Sequence, residues 1–269
     1  MQTSSNTDTI RRLTRILEIY KASETEIRPH SVLTGPSGSG KSFTVNTLAA
    51  QMDIPVIEIN AAQLTKEGTS GNSLSKALSP LAHVGERPAI VFVDEFDKLF
   101  ISGNTNSALA HETTNGVQNE FLKVLEGRST SVYGDYGKYL EVPCDNILFI
   151  FAGAFNGEEN ITIDRLREFG IKTEFLGRVG LAFSLEKLSL LDLKLILENS
   201  PLLAKYLELF RDVDRATVVK IIMGAIEENY EKNTLGARMV HTLIHQYFIT
   251  GGLGKEEVKK TTFQKKLTL

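Results

Sequence analysis

The sequence predicts an α/β domain built on a parallel sheet, followed by a small all-helical domain. Up to Glu186, strand-length apolar runs alternate with segments of helical period, and beyond it the strand signals stop. Two of the runs, Ala89–Val93 and Ile147–Phe151, are apolar at every position. A strand with no polar side is buried on both faces, which is the pattern of a parallel sheet covered by helices above and below.

The elements follow in order. Thr9–Lys21 carries Ile10, Leu13, Ile16, Leu17 and Tyr20 at helical spacing. Ser31–Thr34 is a short strand that runs into a glycine-rich turn, and Lys41–Met52 is a helix. Pro55–Ile59 is a second strand, Leu74–His83 a helix and Ala89–Val93 a buried strand. Ser102–Thr114 is predicted as a polar loop, and Val117–Leu125 as a helix with Val117, Phe121, Val124 and Leu125 on one face. Tyr133–Val142 fits a hairpin or an exposed loop, Asn146–Ala152 another buried strand and Leu181–Leu185 the last. Four helical periods then cover Leu190–Glu198, Leu202–Arg211, Ala216–Tyr230 and Leu235–Phe248. The predicted domains are 1–186, with 1–30 as an N-terminal helix and lead-in, then a helical domain over 187–255, then a basic tail over 256–269.

Composition narrows the function classes. A chain of 269 residues suits one large α/β domain with a small appendage. A formal net charge of −3 provides no electrostatic footprint for nucleic acid or an anionic membrane. The single Cys144 excludes an internal disulfide and any multi-cysteine zinc site, and fits a reducing, cytoplasmic compartment. Met1–Asp8 has no apolar core of a signal peptide, and no apolar run approaches the roughly 20 residues that span a bilayer. Of the five histidines only His241 and His245 share a helical face, with no H-E-x-x-H carboxylate beside them, so a metal site on histidine is not expected. No G-x-S-x-G elbow is present.

Two motifs carry chemistry. Gly35-Pro36-Ser37-Gly38-Ser39-Gly40-Lys41-Ser42 fits the P-loop pattern G-x-x-x-x-G-K-[ST]. Its glycines let backbone amides curl around phosphates, and the following helix turns its positive end toward them. Lys41 is then the cation for the β- and γ-phosphates of ATP, and the Ser42 hydroxyl a ligand for Mg²⁺. Val91-Phe92-Val93-Asp94-Glu95 is an apolar strand that delivers two carboxylates at its carboxyl edge, where ligands bind in such sheets. Asp94 is assigned to the Mg²⁺ shell, and Glu95 to the attacking water. Together they predict a P-loop NTPase core.

From here the chain resembles a family. Asp94-Glu95-Phe-Asp97-Lys98 is similar to the D-E-[IV]-D-K signature of AAA+ ATPases, particularly the Clp/HslU unfoldase branch. Gly116–Gly127, Asn146–Phe155, Phe169–Arg178 and Leu235–Arg238 are similar to further segments of that branch, in the same order, over residues 30–250. The resemblance implies that Arg178 is an arginine finger acting in a neighbouring subunit's site, and that Arg238 touches the γ-phosphate from a helical lid. It also implies a homo-oligomer, a hexameric ring or a spiral, that hydrolyses ATP to remodel a protein or a protein–nucleic acid complex.

The sequence departs from the family in four places. The pore-loop segment reads Gly68-Thr69-Ser70-Gly71, and Thr69 replaces the aromatic that grips polypeptide. A second pore-loop position holds Tyr133, Tyr136 and Tyr139, which equally fit a hairpin with exposed tyrosines. No long insertion of the protease-docking type lies between Phe155 and Phe169, so ClpP-type docking is not expected, nor is a zinc-binding domain expected ahead of Thr9. Ala152-Gly153-Ala154 stands where a polar sensor is usual, with Asn156 as the substitute. Two alternatives stay open: a nucleic-acid motor or loader, favoured by the polar pore loop and the tail lysines 255, 259, 260, 265 and 266, and an ATP-switched scaffold with little mechanical activity.

Overall fold

In a computed structural model of the chain, the residues described are 6–65, 72–100, 108–134 and 137–253. They divide into two units: Asn6–Pro36 with Lys41–Leu185, and Ser37–Gly40 with the chain from Glu186 onward.

The larger unit is built on five parallel strands, in the order β2 (Val56–Asn60), β3 (Ala89–Asp94), β6 (Ile147–Gly153), β1 (Ser31–Thr34) and β7 (Leu181–Ser184). Side chains alternate along these strands, so each strand feeds two cores. Leu33, Ile90, Phe92, Leu148 and Ile150 pack on one side, with Leu13 and Leu17 of α1 (Thr7–Ala22) and Val45 and Leu48 of α2 (Lys41–Gln51). Val32, Val91, Val93, Phe149 and Phe151 pack on the other, with Val117, Phe121 and Val124 of α4 (Ala108–Glu126). A short helix, α3 (Leu74–Ala77), and an antiparallel hairpin of β4 (Ser129–Tyr133) and β5 (Tyr139–Pro143) lie outside the main sheet. Each large apolar side chain removed from water here contributes about 1.5–3 kcal/mol.

Two expectations need correction. The polar segment 102–114 is not loop throughout, because α4 already begins at Ala108. Once Val117–Leu125 is nucleated against the core, extending the helix backward costs little, and Ala108, Leu109 and Ala110 are good helix formers. Residues 102–107, the loop Gly68–Gly71, Tyr136 and the tail beyond 253 lie outside the described residues. Two helices, α5 (Ile163–Glu168) and α6 (Thr173–Arg178), occupy a stretch where no element was predicted. At six residues each they are too short to display a period.

The smaller unit holds α7 (Leu190–Glu198), α8 (Pro201–Leu209), α9 (Arg215–Asn229) and α10 (Ala237–Thr250) around Leu193, Leu197, Leu203, Val218, Ile222, Ile226, Val240 and Ile244. Their starts are set by polar caps. Ser189 and Asp192 form a reciprocal capping box, and the Ser200 and Asp214 side chains accept from backbone amides one turn ahead.

His30 ties the sheet to its lead-in. It is 7% exposed, and its Nδ1 accepts the Phe149 amide at 3.1 Å, just before the β1–β6 ladder starts at Ser31 opposite Ile150. Burial, with a smaller push from Arg28, lowers its pKa to about 4. The unfolded chain therefore binds a proton near pH 6.5 that the folded chain refuses until about pH 4, so stability falls as pH drops through that window. Between pH 7 and pH 5 the loss attributable to His30 is about 2 kcal/mol. Urea melts at both pH values are expected to show it in the wild type, and a shallower pH slope in His30→Gln.

Candidate nucleotide-binding and hydrolysis site

The loop Gly35–Ser42 joins the end of β1 to the start of α2, so the first amides of an 11-residue helix stand at its base. Lys41 is only 8% exposed, and its Nζ donates to the Gly35 carbonyl at 2.6 Å and the Pro36 carbonyl at 3.0 Å. Ser39 is 4% exposed, and its buried Oγ has no hydrogen-bond partner. A buried ammonium folded back on its own loop, a buried hydroxyl lacking a partner and a helix N-terminus form a donor set that fits phosphate.

Within the smaller unit, the crown of this loop is in backbone contact with the turn before α10. Gly38 has φ 71° and Gly236 φ 54°, both in the left-handed region open to glycine. A Cβ on Gly38 would lie 2.0 Å from the Leu235 oxygen, and one on Gly236 would lie 2.3 Å from the Gly38 oxygen. Glycine is therefore required on both sides. The Ala237 amide donates to the Gly38 carbonyl at 3.1 Å, giving α10 the N-terminal partner that its own side chains do not supply. Asn233 Oδ1 accepts from the Leu235 and Gly236 amides at 2.8 and 3.0 Å and shapes the turn. One residue into α10, Arg238 reaches Ser37 Oγ through Nη1 at 3.2 Å.

Across the sheet, β3 ends in Asp94, whose Oδ1 accepts the Glu95 amide at 2.8 Å. Glu95 is exposed and left-handed, at φ 55° and ψ 30°. For a residue with a side chain this conformation costs on the order of 1–2 kcal/mol, and it re-aims the carboxylate out of the strand direction. Phe96 anchors the turn from below, with ring centroids 4.7 Å from Phe151 and 5.3 Å from Phe175.

Asp97 occupies the space beside the end of β6. It is 1% exposed, and its Oδ2 accepts the Phe155 amide at 3.2 Å. A Cβ on Gly153 would meet Asp97 Oδ1 at 2.8 Å and the Phe155 ring at 2.7 Å. The space is thus filled by a carboxylate from the β3 turn, which obliges the β6 terminus to be small. Beyond it Phe155 (φ 45°) and Asn156 (φ 60°) are consecutive left-handed residues, and Asn156 is exposed. The sequence pattern does not show this brace, because Asp97 reads there only as one position of the Asp94–Lys98 signature, 58 residues from Phe155.

Arg178 is the last residue of α6 and its side chain is 56% exposed. Nε and Nη2 lie 3.0 and 2.9 Å from Oε1 of Glu126, the last residue of α4. It precedes β7, whose first residue Leu181 pairs with Ser31, whereas the P-loop follows Thr34 at the far end of β1. The two lie toward opposite ends of the strands, separated along β1 by on the order of 10 Å. The sequence pattern marks Arg178 but not its carboxylate partner, 52 positions earlier.

The remaining residues are unremarkable chemically. Tyr133 and Tyr139 are exposed and meet edge to face on the β4–β5 hairpin. His245 Nδ1 is hydrogen-bonded to Tyr206 Oη at 2.8 Å. Among the described residues, no group of three or more His, Cys, Asp or Glu could hold a metal ion, and no helix is long and apolar enough to cross a membrane.

A phosphate-binding loop after β1 of a parallel sheet, with paired carboxylates at the exit of β3 two strands away, defines a P-loop ATPase. The chain belongs to the AAA family: the sequence profile of the "ATPase family associated with various cellular activities (AAA)" matches residues 31–174. Its relatives include proteins named "ATP-dependent Clp protease ATP-binding subunit ClpX". The one from Borrelia duttonii (strain Ly) is 29% identical over 85% of this chain and 65% of the relative. The one from Bacteroides fragilis is 27% identical over 86% and 66%, and that from Treponema denticola 27% over 81% and 64%. The chain thus spans about 65% of the length of these relatives.

Gly236→Ala tests the backbone contact without altering the loop itself. The Cβ forces the turn away from Gly38, so ATP turnover is expected to fall at least about tenfold as Arg238 is displaced, about 1.4 kcal/mol in the barrier. Steady-state ATPase assays, with circular dichroism to verify the fold, provide the check.

Proposed function

We propose that this chain is the working ATPase unit of a homo-oligomer that couples Mg-ATP hydrolysis to remodelling of a protein or a protein–nucleic acid complex. The carrying observation is the position of Arg178. It stands at the opposite end of the strands from its own P-loop, exposed and paired with Glu126. An arginine finger placed there serves the nucleotide of another subunit, which makes hydrolysis depend on assembly. The likeness to proteins named as ATP-binding subunits of a Clp protease supports polypeptide as the material acted on.

In this reading Lys41, the loop amides and Ser39 hold the phosphates of ATP, while Arg238 approaches from the α10 turn. Ser42 and Asp94 would hold Mg²⁺, which would supply positive charge at the phosphate oxygens. Glu95 orients a water for in-line attack and takes its proton, the bond to the β–γ bridging oxygen breaks, and ADP and phosphate leave. The left-handed turn at Glu95 keeps its carboxylate beyond the strand end, separate from Asp94. Asn156, on the strained turn braced by Asp97, contributes a polar group to the same water.

Two measurements test this. Glu95→Gln is expected to bind ATP near the wild-type affinity and to lose at least about 100-fold in turnover; a wild-type rate would remove Glu95 from the mechanism. Wild-type activity per subunit is expected to rise cooperatively with protein concentration as oligomers appear in mass photometry, and to collapse in Arg178→Ala at every concentration. Activity independent of concentration that survives the substitution would mean that each chain holds a complete site.

A further inference from the structure

We infer that Glu126 is the positioning residue for Arg178: it clamps one edge of the guanidinium so that the other is presented, already oriented, to the neighbouring subunit's nucleotide. The inference rests on the reading of Arg178 as an arginine finger.

The geometry is one-sided. Both contacts, Nε at 3.0 Å and Nη2 at 2.9 Å, converge on a single carboxylate oxygen along the Nε edge. Nη1 makes no hydrogen bond to the described residues, so the outer edge of the planar fork remains available for a bidentate phosphate contact. A free arginine with a side chain 56% exposed would sample many rotamers. A group acting across a subunit boundary gains most when that freedom is removed beforehand. The anchor is itself rigid, because α4 is packed into the core through Val117, Phe121 and Val124.

The location of Glu126 also argues against service to its own helix. It is the final residue of α4, where the helix dipole is negative and a carboxylate is disfavoured. Arg178 ends α6, where a cation is favoured. The carboxylate therefore gains its compensation from the arginine across the gap, and the two helix ends are held in register. An exposed ion pair of this kind adds little to stability, so its removal should leave the fold intact and show in turnover.

Because the finger acts in trans, the test is made in mixed assemblies. Wild-type subunits are diluted tenfold into Glu95→Gln subunits, which bind but do not hydrolyse ATP, so nearly every active site faces a finger from a Glu95→Gln neighbour. The comparison uses Glu95→Gln/Glu126→Gln and Glu95→Gln/Arg178→Ala subunits as the excess component, with mass photometry to verify equal incorporation. Adding Glu126→Gln to the inactive neighbour is expected to lower kcat per wild-type subunit about three- to tenfold with KM for ATP unchanged. Adding Arg178→Ala should lower it further. A structural role for Glu126 within its own subunit would leave the wild-type neighbours unaffected. An unchanged or faster rate with Glu126→Gln, while Arg178→Ala abolishes turnover, overturns the positioning role alone. An unchanged rate with Arg178→Ala overturns both the finger and its clamp.

Discussion

A parallel sheet covered on both faces leaves only the strand ends for polar chemistry, and the rest of this protein is arranged around that constraint. The inner strands β3 and β6 contribute to both cores, through Ile90, Phe92, Leu148 and Ile150 on one side and Val91, Val93, Phe149 and Phe151 on the other. A charge placed mid-strand would lose several kcal/mol of hydration without a partner. The phosphate loop, the Asp94–Glu95 pair and the Asn156 turn therefore collect at the carboxyl ends, while His30 and Arg178 stand at the amino ends.

Several of the buried polar side chains serve the backbone. Tyr20 Oη accepts the Ala89 amide at 2.9 Å and donates to the Asn146 carbonyl, linking α1 to the starts of β3 and β6. Burial raises its pKa to about 12, so it remains a neutral donor throughout the working range. Asn146 Nδ2 in turn satisfies the Gly85 and Arg87 carbonyls, and Asp97 satisfies the Phe155 amide. In each case a side chain supplies what the ladder cannot reach at a strand end, where strands of unequal length leave amides and carbonyls unpaired.

The exposed arginine and the recessed lysine follow from the same geometry. Lys41 is held inside the loop by the carbonyls of Gly35 and Pro36. Arg178 lies outside, where an exposed side chain samples many rotamers unless something holds it. The Glu126 carboxylate holds it through a hydrogen bond from Nε and an ion-pair contact with Nη2, with little stabilisation of the fold.

The sequence by itself determined the parallel α/β core, the helical segment after Glu186, the P-loop and the strand that carries Asp94 and Glu95. These are short-range features: apolar runs of strand length, helical periods and glycine spacing, each written in neighbouring residues. The tertiary structure alone decided that Asp97 lies beside Gly153 and satisfies the Phe155 amide, that Gly38 must meet Gly236 and that Glu126 holds Arg178. Each of these joins residues far apart in the chain. The Asp97–Phe155 bond spans 58 positions, the Gly38 contact lies in the same crown as an Arg238–Ser37 bond spanning 201, and the Glu126–Arg178 pair spans 52. No local period records such a pairing, because its energy appears only when the sheet has brought the strand ends together.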